Sequence, residues 1–197
     1  MRKASRAPAA LICLVLVALL AGCGDPKVTP EARELLDRMN GHARESVKYL
    51  EAVDDTRKRF SEIVAPQDEP GAETVEKAGL LLDSAESSEE KALSELKQME
   101  SSLAELGEME VGPELHKYSR MKLEAVREQE KYVETELEAM SLRKQVIASF
   151  KTDATLGQLL DLQARITELE TTAKDYALRA KALHEDANDY YKEKKLG

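Results

Sequence analysis

The feature that most constrains this chain is an apolar residue recurring every three or four positions, without a break, from Leu159 to Tyr190. The run reads Leu159, Leu162, Ile166, Leu169, Ala173, Tyr176, Ala180, Leu183, Ala187 and Tyr190. A pattern of this period places all ten side chains on one helical stripe, and a sustained seven-residue repeat implies coiled-coil-like packing at shallow crossing angles. A second run is nearly as regular: Val75, Ala78, Leu82, Ala85, Glu89, Ala92, Leu96, Met99, Leu103 and Leu106, with Glu89 as its only polar member. A third reads Leu36, Met39, Ala43, Ser46, Leu50, Val53, Arg57, Phe60 and Val64, with polar lapses at Ser46 and Arg57. A fourth is looser, with Val126, Val133, Met140 and Ile147 flanked by Ala125, Tyr132, Leu137 and Ala139.

Helix breakers separate these runs. Thr29 is placed to cap and Pro30 to open the first helix, with Glu31 and Glu34 near the positive end of its dipole. Pro66-Gln67-Asp68-Glu69-Pro70-Gly71 ends it, and Gly107 with Gly112-Pro113 ends the second. The third boundary has neither Pro nor Gly, and Thr152 or Asp153 is its expected cap. The predicted helices are 30–65, 72–106, 113–150 and 153–194, within a helical region spanning 30–197. Each is roughly 50–60 Å long at about 1.5 Å per residue. The expected fold is therefore all-α, an antiparallel up-down four-helix bundle of long coiled-coil-like helices. An extended helical hairpin that completes its core as a homo-oligomer is the alternative.

The N-terminus carries a different kind of signal. Arg2, Lys3 and Arg6 precede an uncharged apolar stretch from Ala9 to Leu20, of secretory length and short for a membrane span. Small residues then lead to a cysteine in Leu20-Ala21-Gly22-Cys23. This tetrapeptide resembles the lipobox of bacterial lipoproteins. The resemblance implies a signal peptide over 1–22 and cleavage between Gly22 and Cys23. It further implies a diacylglycerol on the Cys23 thiol and fatty acyl groups such as palmitate on the new N-terminus. Each buried methylene contributes about 0.8 kcal/mol, so two or three acyl chains suffice for stable anchoring. The chain would then be a membrane-anchored protein of the bacterial cell envelope, facing the periplasm or the exterior. It broadly resembles small helical envelope lipoproteins, some proposed to bind cell wall.

Residues 23–29 are the lipidated cysteine and a short tether, and Gly24 to Thr29 reach at most about 20 Å when extended. The bundle must stand close to the bilayer, with its C-terminus at the same end. Lys192, Lys194 and Lys195 at that end are adequately explained by the negative pole of the last helix.

Charge and cysteine content narrow the function. The chain has 29 Lys+Arg and 38 Asp+Glu; without the three basic residues of the leader, 26 face 38, a net charge of −12. Nucleic acid is not an expected partner, because phosphate backbones need clustered positive charge. Cys13 lies in the leader, so Cys23 is the only cysteine of the mature chain and no disulfide or thiolate metal site is available. Six Tyr, two Phe and no Trp offer few aromatic platforms for a small molecule. Tyr176, Tyr190 and Tyr191 are expected in packing roles.

No catalytic or metal-binding constellation stands out. The residues three positions before His42, His116 and His184 are Met39, Pro113 and Lys181, so the Glu-x-x-His pairs of di-iron bundles are missing. His184, beside Glu185 and Asp186, is expected at the solvated surface. The acidic pairs Glu89-Glu90 and Glu108/Glu110 offer only weak cation contacts. With a loop centre near residue 68, Arg57 lies level with Gly79 and Glu89 with Val47. The two are therefore not expected to pair, and each should rotate slightly into solvent. The sequence reads as a non-enzymatic scaffold or an interaction module for protein or cell-wall partners, with no cofactor and no well-formed concave pocket. A small-ligand-binding or sensor-type bundle is the alternative, and a deep pocket with converging polar groups would favour it.

Overall fold

The computed structural model describes residues 28–64, 71–150 and 155–196. The lipobox Leu20–Cys23, Gly24 and the breaker Pro66–Pro70 lie outside them. Four helices account for nearly all of what is described: α1 (Pro30–Val64), α2 (Ala72–Glu108), α3 (Pro113–Ser149) and α4 (Leu156–Lys194). They form an antiparallel four-helix bundle in up-down order, and among the described residues there is no strand.

The helix starts follow from local chemistry. Thr29 Oγ1 accepts a hydrogen bond from the Ala32 amide at 3.2 Å, and Pro30 occupies the first helical position. The start of α4 falls later than the expected 153. Thr155 is the cap, its hydroxyl accepting from the Gln158 amide (3.4 Å) while Gln158 Oε1 accepts from the Thr155 amide (2.9 Å). This reciprocal capping box satisfies two otherwise orphaned amides; the expected caps Thr152 and Asp153 lie outside the described residues. Helix α2 runs on through Gly107 to Glu108, two residues past the expected stop.

The last turn of α4 closes with Lys195 in the left-handed region (φ 52°), the Leu196 amide donating back to the Tyr191 carbonyl, and Leu196 buried in the core. This is a Schellman-type ending, in which glycine is normally preferred. Lys195→Gly should therefore gain about 0.5–1 kcal/mol in chemical denaturation by relieving the Cβ conflict.

Packing divides the bundle along its length. Near the chain ends, one core collects apolar residues from all four helices, including Leu36, Met39, Leu103, Leu106, Tyr118 and Ala187, with Val28 and Leu196 closing it. The start of α1 and the end of α4 thus sit at the same end, as the topology requires. The opposite half has a separate core of Val53, Val75, Ala78, Leu82, Ala85, Met140 and Ile147. That cluster draws on α1, α2 and α3 alone. Each helix packs on the next in sequence, but α1 and α4 nowhere bring Cα atoms within 8 Å. The seam between first and last helices is therefore open in the distal half, where Leu156 and Leu160 of α4 stand exposed.

The periodicities translate unevenly into burial. All ten seam residues of α2 are buried, Glu89 among them. The α1 seam is buried through Val53 and half-exposed at Arg57, Phe60 and Val64. Helix α3, sandwiched between α2 and α4, buries more residues than any other and therefore shows no single clean stripe. The buried face of α4 keeps Ile166, Ala173, Ala180 and Ala187 of the expected seam but is shifted to one side of it. Ala173, Ala177, Ala180, His184, Ala187 and Asn188 point inward, while Tyr176, Leu183 and Tyr190 lie half-exposed along its edge.

Candidate functional site

Helix α3 carries Lys122, Gln129, Glu136 and Arg143 at seven-residue intervals, each four positions before a member of its apolar seam. A seven-residue spacing keeps them in one row along the helix. Lys122, Gln129 and Glu136 are buried, and Arg143 is largely so. This polar column organises the two unusual clusters of the bundle.

The first cluster links every helix through charge. Arg57 Nη2 donates to Glu89 Oε1 and to Glu136 Oε2, both at 2.5 Å. Arg143 Nη1 lies 3.8 Å from Glu136 Oε2, and Arg143 Nη2 donates to Glu170 Oε1 at 2.6 Å. One network therefore runs α1–α2–α3–α4. It corrects the expectation that Arg57 and Glu89 do not pair and turn outward. Counting Cα levels about the loop ignores the tilt of helical side chains toward their own N-terminus. In an antiparallel pair the tilts converge: Arg57 leans away from the loop, Glu89 leans toward it, and two long side chains close the remaining gap. Burial pushes the Glu89 carboxyl up to about 7, against the pull of Arg57, and Glu136 adds to the rise. Glu89 Oε2 has no hydrogen-bond partner. The neighbouring Glu90 is exposed, so the Glu89-Glu90 pair is not brought together as a cation site.

The second cluster lies deeper in the half nearer the chain ends. His184 is fully buried, contrary to the expected solvated position, because the inward face of α4 is the alanine row into which it falls. Its Nδ1 is 3.3 Å from Lys122 Nζ and its Nε2 is 3.0 Å from Gln129 Oε1. These contacts assign the tautomer: Nε2–H donates to Gln129, and Nδ1 accepts from Lys122. Burial lowers the Lys122 amine to about 7, and no carboxylate forms an ion pair with it among the described residues. Burial first, and the neighbouring Lys122 second, hold the His184 imidazole well below its usual value. The other histidines behave differently: His42 is half-exposed and bonded to Glu95 at 2.7 Å, and His116 is half-exposed in the first turn of α3.

The network floors a groove of about 610 Å³ in the open seam. One wall is α1, with Thr56, Arg57 and Phe60; the other is α4, with Thr167, Glu170, Thr171 and Lys174. Leu81, Leu82 and Ala85 of α2 and Glu136, Met140 and Arg143 of α3 form the floor. The bundle is thus not closed along this seam, which holds an open groove rather than an enclosed pocket. The cause is the composition of the α4 wall: where a fully closed bundle would turn apolar side chains toward α1, this helix presents threonines and charges. Nothing in the α4 seam announces this, but the row Thr167, Glu170, Thr171, Lys174 is visible in the sequence once the helix face is known. Glu108 and Glu110 are both exposed in and beside the α2–α3 connector. Among the described residues no group of three or more His, Cys, Asp or Glu is arranged to hold a metal ion, and no helix is long and apolar enough to cross a membrane.

The chain matches no protein-family model, no curated protein and no solved structure.

Proposed function

We propose that this chain is a lipid-anchored protein of the bacterial cell envelope, a non-enzymatic helical module held against a membrane by Cys23. The observation that carries the reading is the Leu20-Ala21-Gly22-Cys23 box behind a basic, apolar leader. Only Gly24 to Thr29 separate its cysteine from Pro30, so the anchor reaches the end of the bundle where Val28 and Leu196 pack. That end faces the membrane, and the open seam faces the compartment where protein or cell-wall partners are met.

Metabolic labelling with an alkyne fatty acid, followed by mass spectrometry of the mature N-terminus, tests the anchor. The expected product begins at Cys23 and carries acyl label, and Cys23→Ala abolishes both label and membrane association. An unlabelled chain that begins elsewhere overturns the reading.

A second reading, a small-ligand-binding bundle, is favoured by one specific observation: the groove between α1 and α4 gathers polar groups from α1, α3 and α4 beside apolar residues of α2. Its volume falls within the range of roughly 300–1,000 Å³ usual for small-molecule sites.

A further inference from the structure

The chemistry of the groove restricts what it can hold. The hydroxyl protons of its threonines are already committed. Thr56 donates to the Ala52 carbonyl (2.8 Å), Thr167 to that of Gln163 (2.9 Å) and Thr171 to that of Thr167 (2.9 Å). Its carboxylates are committed as well, Glu136 to Arg57 and Glu170 to Arg143. The uncommitted capacity is cationic. Arg57 binds both of its carboxylates through Nη2, and its Nε has no hydrogen-bond partner. Arg143 Nη1 has none either, and it lies 3.8 Å from Glu136 Oε2. Lys174 makes no ion pair among the described residues, although 17 such pairs occur there.

The lining therefore holds three cations against two carboxylates, in a chain whose charge after the leader is −12. Glu89, directly behind the lining, adds less negative charge than its formula implies, because burial holds its carboxyl near neutral pH. Beside this cationic rim lies an apolar strip of Phe60, Leu81, Leu82, Ala85 and Met140. Exposed Leu160 lies one heptad from Thr167 on the same wall and extends that strip toward the distal tip.

We propose that the groove between α1 and α4 binds a small amphiphile with an apolar body and a single anionic head, the head held by Arg57, Arg143 and Lys174. The proposal rests on the ligand-binding reading and adds the class of ligand. Charge-assisted bonds from guanidinium and ammonium donors suit a carboxylate or phosphate head, and the apolar strip removes a hydrocarbon chain from water. A partner helix would meet the same leucines. The volume of about 610 Å³ is of small-molecule size, and the three cations of the lining suit a single anionic head better than an apolar helix face.

The test uses the full chain in nanodiscs, with empty discs as the blank, titrated separately with octanoate, octyl phosphate, octanol and octylammonium. Saturable stabilisation in thermal unfolding reports binding. At least one of the two anions is expected to bind about tenfold or more tightly than the neutral and cationic chains of equal length, given paired charge in a partly desolvated site. The contrast between octanoate and octyl phosphate tells which head the site takes. Lys174→Glu changes an exposed residue without a partner, so it leaves the bundle folded, and it should weaken the anions about tenfold while sparing octanol. Leu81→Gln should weaken every chain.

Equal binding of all four probes, unmoved by Lys174→Glu, overturns the anionic class and leaves a ligand-binding groove standing. No binding of any probe, with a photo-crosslinker at position 171 capturing a helix of another protein, overturns the ligand-binding reading too.

Discussion

Arg57→Met is expected to lower the free energy of unfolding by about 3–5 kcal/mol, the cost of leaving buried charges without their partner. The guanidinium is the only group bonded to both Glu89 and Glu136 among the described contacts, and Glu89 is almost wholly buried. Methionine keeps most of the stem and removes the charge, so packing loss is a minor part of the effect. The loss should depend on pH. Glu89 has its folded-state pKa raised to about 7, from an ordinary 4.5, so the fold favours the protonated acid. Its contribution is fully present below 4.5 and is lost as pH rises through the folded-state value. Arg57 opposes that rise; without it the carboxyl moves higher and the window widens upward. The gap between wild type and variant should be smallest near pH 5, where Glu89 is protonated in both and only the contact with Glu136 is lost, and should widen as pH rises above about 7, where Arg57 stabilises the ionised Glu89. Adding Glu89→Gln to the variant should restore about 1–3 kcal/mol, the coupling typical of groups in one network. Urea unfolding at the two pH values measures all three quantities; a loss below about 1 kcal/mol at both would contradict the role given to the network.

Lys122→Met should do the opposite and stabilise the bundle at neutral pH. The Lys122 amine is fully buried, faces a neutral imidazole, and has its pKa lowered to about 7 from 10.5. A group shifted down in this way contributes stability that is present above the unfolded value and lost as pH falls toward the folded one. Between about pH 10.5 and 7 the unfolded chain takes up a proton that the folded chain resists, at about 1.4 kcal/mol per unit. The penalty approaches about 4–5 kcal/mol at the bottom of that window. Methionine removes it and costs about 1–3 kcal/mol for the donor withdrawn from His184 Nδ1. The expected net gain near pH 7 is about 2 kcal/mol, shrinking by about 1.4 kcal/mol per pH unit and changing sign at about pH 8.5. Denaturation across that range checks the crossing; a gain independent of pH would show that shape rather than charge made the difference.

How far each feature could be read from the chain depended on how much of its helix is buried. The α2 seam was legible residue by residue because this helix presents one stripe, and even its polar exception, Glu89, is inside. Helix α3 was illegible by the same rule. It buries a polar row beside its apolar seam, so its apolar pattern broadens while the column Lys122, Gln129, Glu136, Arg143 hides in plain heptad spacing. His184 was misplaced because it falls beside the expected seam; Ala173 and Ala180 of that seam are buried together with Ala177 and His184 next to it, while the larger Tyr176 and Leu183 lie at the edge. The Arg57–Glu89 pair was missed for a geometric reason, the convergent tilt of antiparallel side chains. The groove depends on an absence, the lack of any close approach between α1 and α4, and a pattern that describes one helix at a time carries no information about which pairs stay apart.

The closing turn of α4 has a mechanical meaning. Leu196 is fastened in the proximal core while the first three turns of the helix touch only α3 and contribute nothing to the distal core. The last helix is thus a cantilever, clamped at its C-terminal end and lightly supported at the other. Segments with few buried apolar contacts open at the lowest free-energy cost, so small tilts about the clamp become large displacements at the tip. A tilt of that lever would change the width of the seam least at the root, where Leu196 packs, and most at the end farthest from it.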